Sequence, residues 1–352
     1  MKKKQWIVVF VLAAVVAALL YWGRDQILRF SPAQFVEQLR QANWWKIILA
    51  LGCIYVAYVF RAFRWARLMR HNKPVSGLSL VGTQVIGFTA VALIGRFADP
   101  VRPYLVSRKT GTDLGSQIAV YIVERLFDAG SMAFIFSVVI LLAPAGAMPH
   151  PEIVKKAGIG GMALTVAGAL FLVAVRLAGH QVAAFFERIF GMISKKLGHA
   201  VGHKIRTFHA GLDTMRSFGD FGWVAGLSLS MWALITYSYL STAQAFTASP
   251  ELSSMTLAKC ILLLAFSGGA SVLQLPILGW FTQIGFVAAA MTRFYGAGQE
   301  ASTACAATIL LVTFLGIVPV GLLWARFEHV SLHKVAEESE AEESEIEALD
   351  AE

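Results

Sequence analysis

The chain has 352 residues, of which 57% are hydrophobic and only 15% are charged. Together with a mean hydropathy of +0.63, this composition excludes a disordered chain and argues against an ordinary soluble domain. The net charge of +8 comes from basic residues that lie between apolar runs, so it indicates membrane topology and contact with anionic lipids rather than with nucleic acid. The long apolar runs, without the alternation of barrel strands, predict an all-α polytopic membrane protein.

The apolar run 6–22 predicts a first membrane-spanning helix. Its seventeen residues span about 26 Å at 1.5 Å each, and three lysines precede it. A signal peptide is the alternative, but its apolar core is normally shorter and ends at a small-residue cleavage site. We therefore expect an uncleaved helix with a cytoplasmic N-terminus.

A short amphipathic helix is expected at 31–43. Ser31 followed by Pro32 is typical of a helix start, because the serine side chain caps the first turn and proline suits the first helical position. Phe35, Val36 and Leu39 then recur at helical spacing. This pattern predicts a helix lying in the membrane interface.

The second span is expected at 44–60 and ends in basic residues, which mark a cytoplasmic end. Arg61 and Arg64 begin this basic run three residues apart, so they share a helix face near the membrane surface. Two interpretations stay open: these arginines either only set the topology or also bind a substrate phosphate.

Residues 95–128 place charges inside sequence that otherwise has the composition of membrane spans. The six ionisable residues are Arg96, Asp99, Arg102, Glu124, Arg125 and Asp128. Each charge at mid-bilayer costs about 2.5–3.5 kcal/mol, so six unpaired charges would cost on the order of 15–20 kcal/mol. They must pair, face a wet cavity or lie near an interface. Either of the first two arrangements predicts a functional site.

The helix that carries three of these charges is expected to begin at Asp113, which is a typical N-cap. Its polar residues recur so that they fall on one helix face: Gln117, Tyr121, Glu124, Arg125 and Asp128. A single polar stripe on an apolar helix faces protein or water and not lipid.

The segment 180–218 is rich in lysine and arginine and has an apolar face, which predicts a cytoplasmic amphipathic segment lying on the membrane. His199 and His203 are four residues apart, but the sequence shows no carboxylate or third ligand near them. We therefore predict no metal site. The three cysteines all lie within apolar runs and predict no disulfide framework.

The C-terminal half ends in three apolar pieces, broken around Pro276 and Gly279. Counting the basic loops on one side leaves two regions, 78–143 and 257–325, that must each cross an odd number of times. In 78–143 the simplest resolution is one re-entrant or broken segment, whereas 257–325 fits either three true crossings or one crossing plus a re-entrant hairpin. Interrupted helices in two separated regions point to a transport site. We predict one domain at 1–328 with about seven to eight spans, followed by an acidic, disordered cytoplasmic tail at 329–352.

The sequence contains no phosphate-binding Walker loop, no nucleophile elbow and no zinc-protease motif, and we expect no cofactor. Glu124 and Asp128 allow three interpretations. They could compensate neighbouring arginines in a structural network, orient arginines that bind a ligand, or carry out acid–base chemistry.

Arginine suits a ligand role inside a membrane, because its planar donors match phosphate and it stays charged in a low dielectric. The expected partners are membrane lipids with one of three head groups: an anionic phospholipid, a polyprenyl-phosphate-linked head group, or an aminoacyl lipid held by the carboxylates.

Several of these motifs together resemble the lysylphosphatidylglycerol synthase transmembrane-region family, also called flippase-like integral membrane proteins. The similar elements are the basic end with Arg61 and Arg64, the stretch 96–109, and the Val-Glu-Arg-x-x-Asp segment ending at Asp128. The last element is the Pro- and Gly-rich break around Pro276 and Gly279, followed by Gln283. The resemblance covers about residues 45–325.

The sequence departs from the family pattern at four positions. Gly95, Ala98 and Asp99 stand where the family has proline, glycine and glutamate, and Gln283 stands where glutamate is common. No soluble aminoacyl-transferase domain follows the last helix, so the resemblance implies translocation of a lipid without its synthesis.

The resulting hypothesis is a lipid flippase of a bacterial-type inner membrane that moves a charged lipid between leaflets, passively or coupled to ions. Arg96, Arg102 and Arg125, with Arg61 and Arg64, would bind the head group. The carboxylates Asp99, Glu124 and Asp128 would orient them or take part in coupling, and Pro276, Gly279 and Gln283 would line the broken helix. The alternatives are a membrane transferase that uses Glu124 or Asp128 on a lipid phosphate, and a scaffold without transport.

Overall fold

The computed structural model describes residues 30–95, 98–144, 148, 151–212, 218–270, 278–331, 335 and 338. The predicted first span at 6–22 lies outside the described residues, as do Arg96 and Pro276. Every regular element among the described residues is helical, which confirms the prediction of an all-α protein.

Thirteen α-helices make up the described chain. In order they are α1 (Pro32–Gln41), α2 (Trp44–Leu68), α3 (Val81–Ile94), α4 (Val101–Thr110), α5 (Leu114–Leu142), α6 (Pro151–Gly191) and α7 (Lys195–Leu212). They continue with α8 (Phe218–Ala243), α9 (Pro250–Ser253), α10 (Leu257–Ala270), α11 (Leu278–Tyr295), α12 (Gln299–Thr313) and α13 (Val318–Phe327).

Four of these helices, α2, α5, α6 and α8, are long and apolar enough to cross a membrane, and a fifth span results if α12 and α13, bent by 43°, count as one. This confirms a polytopic helical protein; the number of seven to eight spans stays a prediction. Helix α3 has 14 residues, or about 21 Å, which is too short to cross a hydrocarbon core of about 30 Å alone. Short and bent helices occur in both regions where the sequence predicted interruptions.

The helix starts follow from local side-chain chemistry. Ser31 Oγ accepts a hydrogen bond from the Gln34 amide at 3.4 Å, and Asp113 Oδ2 accepts one from the Ser116 amide at 2.9 Å. Both predicted N-caps are therefore present. Helix α4 ends at Gly111, whose φ of 64° is left-handed and favours glycine.

Helices α2 and α8 pack antiparallel and form the centre of the structure. Ser241 Oγ donates to the Lys46 carbonyl at 3.0 Å near one end, and Arg67 Nη2 lies 2.6 Å from Asp220 Oδ1 near the other. Asp220 is itself buried, so this second contact fixes the register of the pair. The packing brings the middle of α8 against Arg61 and Arg64.

The predicted amphipathic segment 180–218 consists of the end of α6, beyond a non-helical residue at Ala178, and of α7. Glu187 joins the two helices, since its carboxylate lies 2.5 Å from His199 Nδ1 and 2.8 Å from Arg206 Nη1. We call Glu187, His199 and Arg206 the exposed ion cluster. Glu187 lies on a different helix from His199, so the local sequence around the histidine gave no sign of this carboxylate.

Described residues beyond α13 contact the helices α3 and α4. Val335 is buried in an apolar cluster with Ile86 and Val101, and Glu338 Oε2 accepts a hydrogen bond from the Tyr104 hydroxyl at 2.8 Å. Disorder of the acidic tail as a whole, and the domain boundary at 328, stay predictions.

Candidate functional site

Two carboxylates on α5 form the centre of the candidate site. Glu124 and Asp128 are four residues apart, so they lie one above the other on the same helix face. Both are buried, as is Gln117 two turns earlier, whereas Ile122 and Leu126 on the other side of α5 are exposed. The predicted polar stripe therefore faces the protein interior.

Helix α2 contributes the first two arginines. Arg64 is buried and bridges both carboxylates, with Nη2 at 2.5 Å from Glu124 Oε1 and Nη1 at 2.6 Å from Asp128 Oδ1. Its Nη1 also donates to Ser228 Oγ on α8 at 2.9 Å. Arg61 lies one turn earlier and approaches Asp128 Oδ2 at 3.4 Å and Glu124 Oε1 at 3.5 Å.

Helix α4 contributes Arg102, which has no solvent exposure and binds Glu124 Oε2 at 3.0 Å. Three aromatic rings surround its guanidinium: Phe88, Tyr121 and Trp65, at 4.4, 4.8 and 5.6 Å from the ring centroids. Its Nε and Nη2 have no hydrogen-bond partner among the described residues. The aromatic faces therefore add to the ion pair with Glu124 in stabilising this buried charge.

Gly87 on α3 makes room for the Arg102 stem. A Cβ atom at this position would overlap Arg102 Cγ. The glycine thus permits α4 to place an arginine against the middle of α3.

Arg125 is the most exposed arginine of the group, with 39% of its side chain accessible. Its Nη2 lies 3.0 Å from Asp128 Oδ2 and 3.4 Å from Glu124 Oε1. Trp232 of α8 completes the group, since its indole N–H donates to Asp128 Oδ1 at 3.2 Å.

We call the six charged residues Arg61, Arg64, Arg102, Glu124, Arg125 and Asp128 the buried ion cluster. Four arginines oppose two carboxylates, which leaves a net formal charge of +2. Every carboxylate oxygen already has a cationic partner. The excess positive charge can therefore attract an anion, whereas no carboxylate oxygen is left without a partner to bind an added cation.

A cavity of about 240 Å³ lies beside the buried ion cluster. Arg61 lines it together with apolar and aromatic side chains, among them Phe88, Met132 and Leu264. The cavity thus brings one cluster arginine into contact with a largely apolar space. This arrangement suits an amphipathic ligand.

The structure brings six of the predicted site residues together, namely the buried ion cluster. Asp99 is half-buried in the turn before α4, and its charge acts on Arg125 and Tyr121, so its charge-partner role stays a prediction. Gln283 on α11 lines the cavity, whereas Gly279 is buried at the start of that helix. Arg96 and Pro276 lie outside the described residues.

Sequence reasoning missed the neutral residues that hold the charges. Trp65, Phe88, Ser228 and Trp232 lie on apolar helices and have the periodicity of core residues. The only available signal was the presence of a serine and an indole N–H in otherwise apolar spans, because such donors need a partner when buried.

A model of the lysylphosphatidylglycerol synthase transmembrane region matches residues 6–321 of the chain. The match covers nine-tenths of the sequence and confirms the resemblance found from the motifs. Searches among curated proteins and among solved structures gave no match.

Proposed function

This chain belongs to the lysylphosphatidylglycerol synthase transmembrane-region family, and on that premise we propose that it moves a lipid with a charged head group between the leaflets of its membrane. The chain is a multi-pass integral membrane protein. We place it in a bacterial-type inner membrane, with the N-terminus and the acidic tail in the cytoplasm, since the basic regions flank the spans on that side.

The observation that carries the proposal is the net charge of +2 in a buried ion cluster that borders a mostly apolar cavity. An excess of arginines over carboxylates inside a membrane protein costs free energy, so such an excess is expected where an anion binds. A lipid phosphate in the cavity would contact Arg61 and lower the excess charge, while its acyl chains stay in the bilayer.

The carboxylates act in this proposal as positioning residues. Glu124 holds Arg64 and Arg102 from two other helices, and Asp128 holds Arg61 and Arg125. They keep the arginines in place when no lipid is bound. Every oxygen of the two carboxylates already contacts an arginine. This argues against the transferase alternative, because a general base needs an oxygen that is free to accept a proton from the substrate.

A reconstituted lipid-scrambling assay tests the proposal. Purified protein is placed in vesicles that contain labelled phospholipids, and the loss of label from the outer leaflet is measured. We expect Arg61→Gln to lower the rate by about tenfold or more, since a hydrogen bond to a charged group contributes about 1.5–3 kcal/mol.

The matched control is Arg206→Gln, which removes an arginine from the exposed ion cluster and leaves the cavity intact. Rates are normalised to folded protein, measured by size-exclusion chromatography. Equal rates for wild type and Arg61→Gln, or a wild-type rate no faster than that of protein-free vesicles, would contradict the proposed function.

A further inference from the structure

A group of neutral polar side chains lines the same cavity as Arg61. Gln283 Nε2 on α11 donates to Ser267 Oγ on α10 at 2.8 Å, and the Tyr239 hydroxyl on α8 lies 2.8 Å from the same oxygen. All three residues are buried and all three line the cavity. We call Tyr239, Ser267 and Gln283 the neutral polar group.

The neutral polar group and the buried ion cluster lie at different levels of the cavity. Trp232 contacts Asp128, and Tyr239 follows seven residues later on α8, which is about 10.5 Å along the helix axis. The cavity therefore has a charged level and an uncharged level. Hydrogen-bonding capacity persists at the second level, because no described residue donates to the amide oxygen of Gln283.

Among the lining residues that the structure describes, Arg61 alone carries a formal charge, so this part of the cavity wall is positive. Glu124 is fully buried, and both its oxygens and those of Asp128 are held by arginines.

An ammonium group in this cavity would lose its hydration and meet a positive wall without a carboxylate partner. A phosphate in this cavity would instead be attracted by the positive charge of Arg61. Hydroxyl groups of its head group could form hydrogen bonds with the donors and acceptors of the neutral polar group. Amide and hydroxyl side chains provide both.

We propose, building on the proposed function, that the neutral polar group is a head-group subsite that selects anionic phospholipids with hydroxyl-bearing, uncharged head groups. Phosphatidylglycerol has this chemistry. Lipids whose head groups carry an ammonium, whether zwitterionic or aminoacylated, are excluded because none of the described lining residues offers a carboxylate to the ammonium. Gln283 is the specificity-determining residue, since its amide occupies a place where a carboxylate of the same shape would accept an ammonium.

The test measures three labelled lipids in one vesicle matrix: phosphatidylglycerol, phosphatidylethanolamine and lysyl-phosphatidylglycerol. We expect wild type to move phosphatidylglycerol at least tenfold faster than lysyl-phosphatidylglycerol. Gln283→Glu is expected to reverse this preference, and Ser267→Ala to weaken it without reversal. Gln34→Glu on the exposed face of α1 adds the same charge away from the cavity and is expected to leave the ratio unchanged.

Equal rates for the three lipids, a preference for lysyl-phosphatidylglycerol, or an unchanged ratio in Gln283→Glu would overturn this inference while leaving the proposed function intact. Failure of every lipid to move faster than in protein-free vesicles would instead remove the proposed function. In that case the head-group preference is tested by measuring how much each short-chain lipid raises the unfolding temperature of the protein in detergent. A larger rise with phosphatidylglycerol than with phosphatidylethanolamine, reversed in Gln283→Glu, supports selection, and equal shifts overturn it.

Discussion

Glu124 and Glu187 each hold basic side chains from other helices at similar distances, but in opposite surroundings. Glu124 is fully buried and lies 2.5 Å from Arg64 and 3.0 Å from Arg102. Glu187 lies 2.8 Å from Arg206 and 2.5 Å from His199, with 25% of its own side chain and 76% of the histidine exposed. The two sites thus allow the effect of burial to be separated from the effect of distance.

In the exposed ion cluster, water and salt replace the ion pair with little loss when one partner is removed. In the buried ion cluster, the loss of Glu124 leaves the inaccessible side chains of Arg64 and Arg102 short of counter-charge, and this is strongly destabilising. Although the distances are similar, we therefore expect the buried ion cluster to be needed for folding and the exposed ion cluster to be replaceable. Four substitutions test that difference, from the largest expected effect to the smallest.

Glu124→Gln is expected to have the largest effect. The substitution raises the net charge of the buried ion cluster from +2 to +3, and removal of one partner of a buried pair typically costs about 3–5 kcal/mol. Thermal unfolding in detergent should show a large decrease in stability. The double variant Glu124→Gln/Arg102→Met restores the charge and should recover part of the loss. A double variant less stable than Glu124→Gln would contradict the charge argument.

Trp232→Phe is expected to rank second. It keeps an aromatic ring on α8 but removes the N–H that donates to Asp128, and a hydrogen bond to a charged group contributes about 1.5–3 kcal/mol. Trp223→Phe is the matched control on the same helix, because Trp223 is exposed. Chemical denaturation should distinguish the two variants, and equal stability would show that the indole contact contributes little.

Gly87→Ala is expected to rank third, at about 1–3 kcal/mol, because the added methyl group must displace the Arg102 stem. Gly160→Ala on α6 is the control, since a Cβ there meets nothing within 4 Å. Alanine favours helix at that position and should leave stability unchanged or raise it slightly. The measurement is again thermal unfolding, and a destabilisation by Gly160→Ala equal to that of Gly87→Ala would refute the steric explanation.

Glu187→Gln is expected to have the smallest effect. The exposed ion cluster is screened by salt, so its loss should leave the unfolding temperature in 0.15 M salt unchanged within error. A small decrease is expected only at low ionic strength. A loss of stability comparable to that of Glu124→Gln would show that the distance between the charges matters more than their burial.

Local chemistry made a substantial part of the fold predictable. The caps at Ser31 and Asp113 and the helices that follow them were predicted from the sequence, because capping depends on residues three positions apart. The interior-facing stripe with Glu124 and Asp128 was predicted from the helical period.

The omissions have a different cause. Ser228 was overlooked because its contact is with Arg64, 164 positions away. Trp232 was overlooked because its contact is with a residue 104 positions away. Neither outcome is encoded in a local pattern.

The sequence by itself determined that charged residues lie in membrane-like segments and which of them share a helix face, since both follow from composition and the 3.6-residue period. Only the tertiary structure decided that α2, α4 and α5 bring four arginines to two carboxylates, that the excess charge borders a cavity, and that neutral side chains line its other level. These outcomes depend on the approach of helices that are distant in the chain, and that approach is set by packing across the whole bundle rather than by any one segment.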